Sequence, residues 1–282
     1  MKKFTFIALA ITAVLGVNSC TEKEGVYSPK MKIDKIYDLY NGQQNLVIVF
    51  NWDGDKLVSI SDGGENVSTL TYDDMNRIAT YCEDGMVFNY TYDGDLLSRI
   101  SYTGDHRSYT MDFTHDGKKI TKMTVTITDD YYPEDKGMNF NFASHALGLL
   151  LPPQICKEID AVGHKVVQQA KGTKGETHSF DILFTWRGKN IIRMDDPSWS
   201  ESHTYEYDNK PSPFNNMILG SSMLWGNTSE ALSSNNITRI VTTFSNHETK
   251  GSITTTYTYE YGEKNYPTKI ISNNDTTIIT YL

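Results

Sequence analysis

Aromatic and polar residues alternate along most of the chain with a period of two. Clear examples are Phe88-Asn89-Tyr90-Thr91-Tyr92 and Tyr257-Thr258-Tyr259-Glu260-Tyr261. Because successive side chains of a strand point to opposite faces, this alternation predicts strands with one covered face and one solvated face. Tyr, Phe, Ile and Val form one face, whereas Thr, Ser, Asn and Asp form the other, as in an antiparallel sheet covered on one side.

A turn signal follows the alternating segments and recurs along the chain. Asp53, Asp73 and Asp93 lie 20 residues apart, and each is followed by Gly or Asp. Such pairs tolerate the positive φ that tight hairpins need. Looser copies occupy residues 113–120, 184–191, 205–210 and 259–270. The unit is therefore a β-hairpin, and turns between the units join consecutive hairpins into an antiparallel meander.

The number of units bears on the architecture. We count about fourteen to eighteen strands, more than an open twisted sheet holds without curling or splitting. The predicted fold class is all-β, with a long antiparallel meander of about 20-residue hairpin repeats curled into a barrel-like or strongly bent sheet. A membrane-spanning barrel is the competing architecture, because alternating segments of about 10 residues also describe outer-membrane strands.

The alternation fails in two places, which we predict to be irregular insertions. They lie near residues 129–160 and 195–236, and the second is expected to hold a short helix within residues 221–232. Cys82 and Cys156 are predicted to be small core residues, with a disulfide between them as the alternative.

The first 19 residues have the organisation of a secretory signal peptide. Lys2 and Lys3 precede an apolar run from Phe4 to Val17, which is too short to span a bilayer. Residues 15–20, Leu-Gly-Val-Asn-Ser-Cys, resemble the lipobox of bacterial lipoproteins. The resemblance implies that Cys20 is lipidated and becomes the first mature residue. Cleavage by an ordinary signal peptidase, leaving Cys20 as a free thiol, is the alternative.

These features predict the domain organisation. Residues 1–19 are a lipoprotein signal peptide, residues 20–30 are the lipidated cysteine and a polar tether, and residues 31–282 are a single β-domain. Cleavage removes Lys2 and Lys3, so the net charge falls from −9 to −11. Acidic residues just after Cys20 resemble the export signal of surface-exposed Bacteroidetes lipoproteins. The predicted location is therefore the outer membrane of the cell envelope, with display at the surface.

Two groups of proteins resemble the repeated units. The pattern Tyr-Asp-x-x-x-Arg-Ile at residues 72–78 resembles the YD repeats of bacterial surface and toxin proteins. Residues 205–214 and 233–240, Tyr-Glu-Tyr-Asp-Asn-Lys-Pro-Ser-Pro-Phe and Ser-Ser-Asn-Asn-Ile-Thr-Arg-Ile, are similar to the DUF4595-type Bacteroidetes lipoproteins. This second resemblance covers residues 31–282 and implies a porin-like fold. The family has no known function and implies no catalytic residues.

Charge and motifs narrow the classes of function. The chain has 26 Lys and Arg against 35 Asp and Glu, and its basic residues form no stripe. Nucleic-acid binding is therefore not expected. We find no nucleophile elbow, no phosphate-binding glycine loop and no zinc spacing among the seven histidines. The sequence therefore predicts a non-enzyme with no cofactor and no metal. Asp53-Gly54-Asp55 and Asp93-Gly94-Asp95 are interpreted as turns and not as calcium loops.

Aromatic residues outside the regular strands are the candidates for ligand contact. Exposed rings on loops stack on apolar faces of ligands such as sugars, although rings that plug a barrel end are the alternative. The candidates are Trp199, Trp225, Tyr131, Tyr132 and Phe214. Trp52 and Trp186, which immediately precede repeat turns, are instead predicted to pack in the core.

The function predicted from these features is that of a lipid-anchored, non-catalytic envelope protein. It would reach the membrane through its N-terminal lipid and bind a carbohydrate, or else a protein partner of the envelope. A structural or adhesive surface protein is one alternative. A glycan hydrolase that uses paired carboxylates from the irregular segments is another. Its candidates are Asp129, Asp130, Glu134, Asp195, Asp196 and Glu201.

Overall fold

The computed structural model describes residues 23–62, 67–104, 107–129, 176–198, 200–220, 228–245, 250–272 and 275–282. Within these residues, sixteen strands form one closed barrel in which sequence neighbours pair antiparallel and the last strand pairs with the first. The predicted all-β antiparallel meander is therefore confirmed, and it closes. The strands are β1 (Ile33–Tyr40), β2 (Gln43–Asp53), β3 (Lys56–Ser61), β4 (Val67–Tyr72), β5 (Ile78–Glu83), β6 (Met86–Asp93), β7 (Leu96–Thr103), β8 (Arg107–Asp116), β9 (Lys119–Asp129), β10 (Glu176–Arg187), β11 (Asn190–Asp196), β12 (Glu201–Pro211), β13 (Asn235–Ser245), β14 (Lys250–Tyr261), β15 (Pro267–Ser272) and β16 (Asp275–Tyr281). A short helix, α1 (Thr228–Leu232), and a 3₁₀ turn (Glu263–Asn265) complete the described elements.

The apolar face of the meander points into the barrel and the polar face points outward. On β14, for example, Thr255 and Tyr257 are buried, whereas the intervening Thr254, Thr256 and Thr258 are exposed. Polar pairs connect neighbouring strands on the outer surface. They include Arg99 with Asp112 at 2.6 Å, Thr126 with Ser179 at 2.8 Å and Arg239 with Glu206 at 2.7 Å.

β-Bulges recur at one end of the barrel, which we call the repeat-turn end because it carries the Asp-Gly turns. In the β4–β5 hairpin Tyr72 pairs with Ile78, while the preceding residue pairs with Thr80, so Ala79 is an extra residue. The same register shift occurs beside the turns of the other repeats. Because the extra residue resets the alternation, Ile78 and Tyr81 both face inward although they are three residues apart. Bulges also bend and twist strands, which favours closure.

A set of aromatic side chains lines the repeat-turn end, and we call them the rim aromatics. Each stands just before a turn or at the chain end, and donates a hydrogen bond to a backbone carbonyl of the preceding strand at 2.6–2.8 Å. The pairs are Trp52 with Ile33, Tyr72 with Leu57, Tyr92 with Ile78, Trp186 with Ile120, Tyr207 with Ile191 and Tyr281 with Pro267. Trp52 and Trp186 also pack against the apolar core, so their predicted packing role is confirmed.

Part of the second predicted insertion enters the barrel. The Tyr90 hydroxyl donates to the carbonyl of Ile218 at 2.9 Å, and Gly220 lies directly against the Phe88 ring. This insertion is narrower than the predicted 195–236, because the alternating residues of β12 form a strand up to Pro211. The predicted short helix is observed as α1. The first predicted insertion begins at the end of β9, and the rest of it lies outside the described residues.

The segment that leads into β1 corrects one prediction. Residues 20–30 were predicted to form a tether, but residues 23–32, which we call the strap, pack across the repeat-turn end. The Glu24 carboxylate accepts the Leu97 N–H at 2.6 Å, and the Tyr27 hydroxyl donates to the carbonyl of Pro213 at 2.8 Å. Tyr27 is only 3% exposed. A polar composition with Gly and Pro suggested a linker, yet Tyr27 and Glu24 find partners that are distant in sequence.

Two further predictions concern single residues. Asp53-Gly54-Asp55 and Asp93-Gly94-Asp95 form turns as predicted, and both glycines have positive φ. Cys82 is not in the core: it is half-buried on the outer face, in register with the exposed Thr69. The register of β5 explains this, because Tyr81 and Glu83 on either side of Cys82 point inward. Cys156 lies outside the described residues.

Candidate functional site

The inner face of the barrel is polar on one side. Thr242, Thr255, Ser272 and Thr277, on β13 to β16, are all buried and point inward. The inner face of β8 and β9 instead carries Met111, Phe113, Met123 and Val125. The hydroxyl of Ser272 has no hydrogen-bond partner among the described residues. Buried polar groups normally have partners, so this polar wall is the candidate site of the barrel.

Glu230 lies on α1, which packs against β11 next to this polar wall. Its carboxyl group is close enough to the hydroxyls of Tyr205, Tyr207 and Tyr259 to influence their ionisation electrostatically. Burial disfavours the charged carboxylate and raises the pKa of Glu230 to about 8. Glu230 is therefore largely protonated at neutral pH, and its carboxyl group both donates and accepts hydrogen bonds.

Tyr207 is fixed in place beside Glu230. Its hydroxyl donates to the carbonyl of Ile191 at 2.6 Å and lies 3.0 Å from the Ser233 hydroxyl. The Ser233 hydroxyl in turn accepts the N–H of Ile191 at 3.1 Å. This network connects β11 and β12 with the residue that follows α1, and it therefore holds the helix against the wall.

His203 is a second titratable group on the same wall, farther from the repeat-turn end. Its Nδ1 lies 2.9 Å from the Thr242 hydroxyl, and its Nε2 lies 3.3 Å from a carboxylate oxygen of Glu201. Burial outweighs the nearby carboxylates and lowers the pKa of His203 to about 4. The ring is therefore neutral at physiological pH, with one nitrogen as donor and the other as acceptor.

Apart from the Glu201 carboxylate beside His203, the groups described on this wall are uncharged hydrogen-bonding groups. A protonated Glu230, a neutral His203, tyrosine hydroxyls and Ser and Thr hydroxyls are all present. Such a surface suits an uncharged polar ligand, because a charged one would need a countercharge in a buried setting. In the part of the chain that the structure describes, no group of His, Cys, Asp and Glu side chains could hold a metal ion.

Of the five residues predicted for ligand contact, Phe214 is the one that lies among the described residues. Trp199, Trp225, Tyr131 and Tyr132 lie outside the described residues. Phe214 is only 6% exposed, and its N–H bonds to the Ser212 hydroxyl at 3.2 Å. Phe214 is thus part of the packed insertion, so its ring is not offered to a ligand in solution.

The carboxylates proposed for hydrolysis have structural partners where they are described. Asp195 forms an ion pair with Arg193 at 2.5 Å on the outer face. Asp196 points to the opposite face and accepts the Ser198 N–H at 3.0 Å in a turn. Glu201 is opposite Asp196 in the strand register and contacts His203. Asp130 and Glu134 lie outside the described residues.

Sequence reasoning missed Glu230, which lies beside the wall, and His115, which contacts the strap. Glu230 lies on a five-residue helix within an irregular segment, where no periodicity marks it. His115 had a visible signal, because it precedes Asp116 at the position where other repeats have Trp52, Tyr72 or Tyr92. In the structure its Nε2 contacts the Glu24 carboxylate at 3.0 Å, in place of a hydrogen bond to the preceding strand.

Comparisons with known proteins found similar solved structures, among them two porin-like proteins. One is a porin-like protein from Bacteroides uniformis, with a TM-score of 0.46 and 14% identity, covering 93% of this chain and 100% of that one. The other is a porin-like protein from Bacteroides vulgatus, with a TM-score of 0.48 and 9% identity, covering 89% of this chain and 99% of that one. No protein-family model matches the sequence. The search of curated proteins found no match. Among the described residues, no helix is long and apolar enough to cross a membrane.

Proposed function

We propose that this chain is a lipid-anchored protein of the cell envelope, whose barrel stands in water and binds an uncharged polar ligand, with carbohydrate as the first candidate. The proposal includes lipidation of Cys20, display at the outer membrane surface and membership of the DUF4595-type lipoproteins. The direction of the side chains supports the proposal, because most large apolar side chains of the described strands are turned inward.

The outer face supports a barrel in water. A membrane-spanning barrel presents an apolar band about 25 Å tall to the lipid. Here the exposed large apolar side chains on the described strands are scattered and stand among threonines and ion pairs. They are Tyr40, Leu46, Val67, Val87 and Leu183. A barrel in water would need a separate attachment to the membrane. Lipidation of Cys20, at the end of the lipobox-like stretch, would provide it.

The inner polar wall supports a ligand rather than a conducting pore. Porins leave a water-filled lumen, whereas Ile218, Leu219 and Met217 of the insertion lie buried in the interior of this barrel. The hydroxyl-rich wall and the neutral forms of Glu230 and His203 match the donors and acceptors of a sugar. Stacking by Trp199 and Trp225, as the sequence predicts, would add the aromatic contact that sugar sites use.

Lipidation and location are tested in one experiment. Cells producing the full chain are labelled with an alkyne palmitate, fractionated and probed for the protein at the surface. We expect label and protein in the outer-membrane fraction, and loss of both for Cys20→Ala but not for Cys82→Ala. An unlabelled wild-type protein that is released as a free soluble chain would contradict the proposal.

Ligand binding is tested with residues 21–282 on a glycan array and in polysaccharide pulldowns. We expect retention by one class of glycan, weakened at least tenfold by Glu230→Ala, by Tyr259→Phe or by the double variant Trp199→Ala, Trp225→Ala. Glu263→Ala, which changes an exposed carboxylate of the 3₁₀ turn, is the matched control. Absence of binding to every glycan would overturn the carbohydrate assignment and favour a protein partner.

A further inference from the structure

The strap fixes where the chain reaches the barrel from its N-terminal side. The carbonyl of Gly25 accepts the N–H of Ile78 at 2.9 Å, and Lys23 pairs with Asp95 at 3.5 Å. Asp95 belongs to the β6–β7 turn, so Lys23 lies at the repeat-turn end. Glu24 is anchored by Leu97 and His115, on β7 and β8. The chain therefore enters at this end and crosses it before β1 begins.

The repeat-turn end also carries a regular arrangement of cations on aromatic rings. The cationic groups of Lys32, Lys56, Arg77 and Lys119 lie over the rim aromatics Trp52, Tyr72, Tyr92 and Trp186, at 5.8, 5.4, 4.0 and 5.9 Å from the ring centres. Trp and Tyr together with Lys and Arg are the residues enriched where proteins meet the lipid headgroups. The opposite end of the barrel shows no such set among its described residues.

Charge at this end is compatible with a membrane surface. Asp55 pairs with Lys32 at 2.7 Å, and Asp73 pairs with Arg77 at 2.7 Å. These two aspartates of the turns are thus neutralised locally, although the whole chain carries a net charge of −9. An acidic protein is repelled least by anionic lipids when its neutralised face approaches them.

We infer that the barrel stands on the lipid surface by its repeat-turn end, with the strap holding it upright. The inference rests on the lipidation of Cys20 proposed above. Only three peptide units separate Cys20 from Lys23, and they span at most roughly 10 Å. The longest strands have 11 or 12 residues and, at a tilt of about 40°, span a height of roughly 25–30 Å. The repeat-turn end is therefore within reach of the headgroups, and the opposite end faces away from the membrane.

Fluorescence quenching by spin-labelled headgroups tests this orientation. The lipidated full chain, with Cys82→Ser and Cys156→Ser, receives one labelling cysteine. Asp74→Cys places it in an exposed turn of the repeat-turn end, and Gln43→Cys places it on the exposed start of β2 at the opposite end. The proteins are reconstituted on vesicles of phosphatidylethanolamine and phosphatidylglycerol. We expect several-fold stronger quenching at position 74 than at position 43.

The strap itself is tested with a variant that dislodges it. A Cβ at Gly25 would lie 2.0 Å from the Tyr92 hydroxyl, and the φ of Gly25 is +75°. In Gly25→Val the strap becomes a flexible tether of roughly 30 Å, so the difference between the two labels should shrink. Ser28→Val, at an exposed strap position, should retain it. Near-ultraviolet circular dichroism verifies that the barrel of each variant stays folded.

The outcomes separate the two proposals. Equal quenching of both labels on vesicle-bound, acylated protein overturns the orientation and leaves lipidation intact. A difference that persists unchanged in folded Gly25→Val protein overturns the role of the strap. If mass spectrometry finds no acyl group on Cys20 and the protein stays off the vesicles, the proposed anchoring fails and the orientation fails with it.

Discussion

Glu230 and His203 have pKa values displaced in opposite directions by the same cause. Both are partly buried, and this burial disfavours the charged form of each. A displaced pKa makes stability depend on pH over the interval between the unfolded and the folded value. The two residues therefore impose opposite pH slopes on the free energy of unfolding.

Glu230 should lower stability as the pH rises. Its pKa is raised from 4.5 to about 8, so between these values the folded protein keeps a proton that the unfolded chain releases. The wild-type protein should lose stability across this window, and Glu230→Gln should remove the loss. We expect the variant to gain roughly 3 kcal/mol on wild type between pH 5 and pH 8. Urea unfolding at several pH values measures this, and Glu263→Gln should show no such trend.

His203 should lower stability as the pH falls. Its pKa is lowered from 6.5 to about 4, so between these values the unfolded chain binds a proton that the folded protein does not. The wild type should therefore weaken from pH 6.5 downward, by roughly 2 kcal/mol at pH 4.5. In His203→Gln this acid-side slope should flatten. A slope identical to that of wild type in the same titration would show that His203 is not desolvated as described.

At the scale of elements, the hairpin repeat bends the sheet. Each turn is followed by a bulge, which brings two apolar residues three positions apart onto the inner face. Beside the bulge, a rim aromatic ties its strand to the preceding one through a backbone carbonyl. Ser98, at a bulge position, adds a hydrogen bond from its hydroxyl to the carbonyl of Thr91 at 2.9 Å. The bulge and the rim hydrogen bond of each repeat thus provide the bend that lets the sheet close into a barrel.

Removal of one rim hydroxyl should cost measurable stability. The Tyr72 hydroxyl donates to the carbonyl of Leu57 at 2.7 Å in a partly buried setting. In Tyr72→Phe that carbonyl loses its side-chain partner, and we expect a loss of about 1 kcal/mol in the free energy of unfolding. Tyr40→Phe, at a residue that is 66% exposed, should change stability by less than about 0.5 kcal/mol. Equal effects in chemical denaturation would contradict a structural role for the rim.

At the scale of the whole molecule, the direction of the side chains decides which solvent surrounds the barrel. A porin exposes apolar residues to lipid and polar residues to its channel. This barrel reverses that arrangement, as β14 illustrates with its exposed threonines and buried tyrosine. Residues 21–282 should therefore be soluble and folded without detergent.

Two adjacent substitutions test this arrangement. Thr254 is exposed on the outer face of β14, and Thr255 is 3% exposed on the inner face. Thr254→Lys should change stability by less than about 0.5 kcal/mol in detergent-free buffer. Thr255→Lys should cost several kcal/mol, of the order of 3 or more, because it buries an unpaired charge. On a lipid-facing surface Thr254→Lys would instead cost roughly 2–4 kcal/mol.

The sequence predicted the fold better than it predicted the candidate site. His115 could have been noticed as the histidine in a position where the repeats place Trp or Tyr. Its partner Glu24 is 91 residues away, in a segment whose composition suggested a tether. Glu230 and His203 carry no motif, and their unusual pKa values arise only from what surrounds them. The sequence pattern around a residue does not show which distant residues will surround it in the fold.

The sequence alone determined the strands, the hairpin turns and the antiparallel meander. These depend on residues close together in the chain, through the period-two alternation and the positive φ of Asp-Gly turns. The tertiary structure decided that the sheet closes between β1 and β16, that the strap covers the repeat-turn end, and that part of the insertion enters the barrel. Those outcomes depend on contacts between residues distant in sequence, such as Leu282 with Lys32. Their free energy comes from burial in the assembled barrel and not from any short stretch of chain.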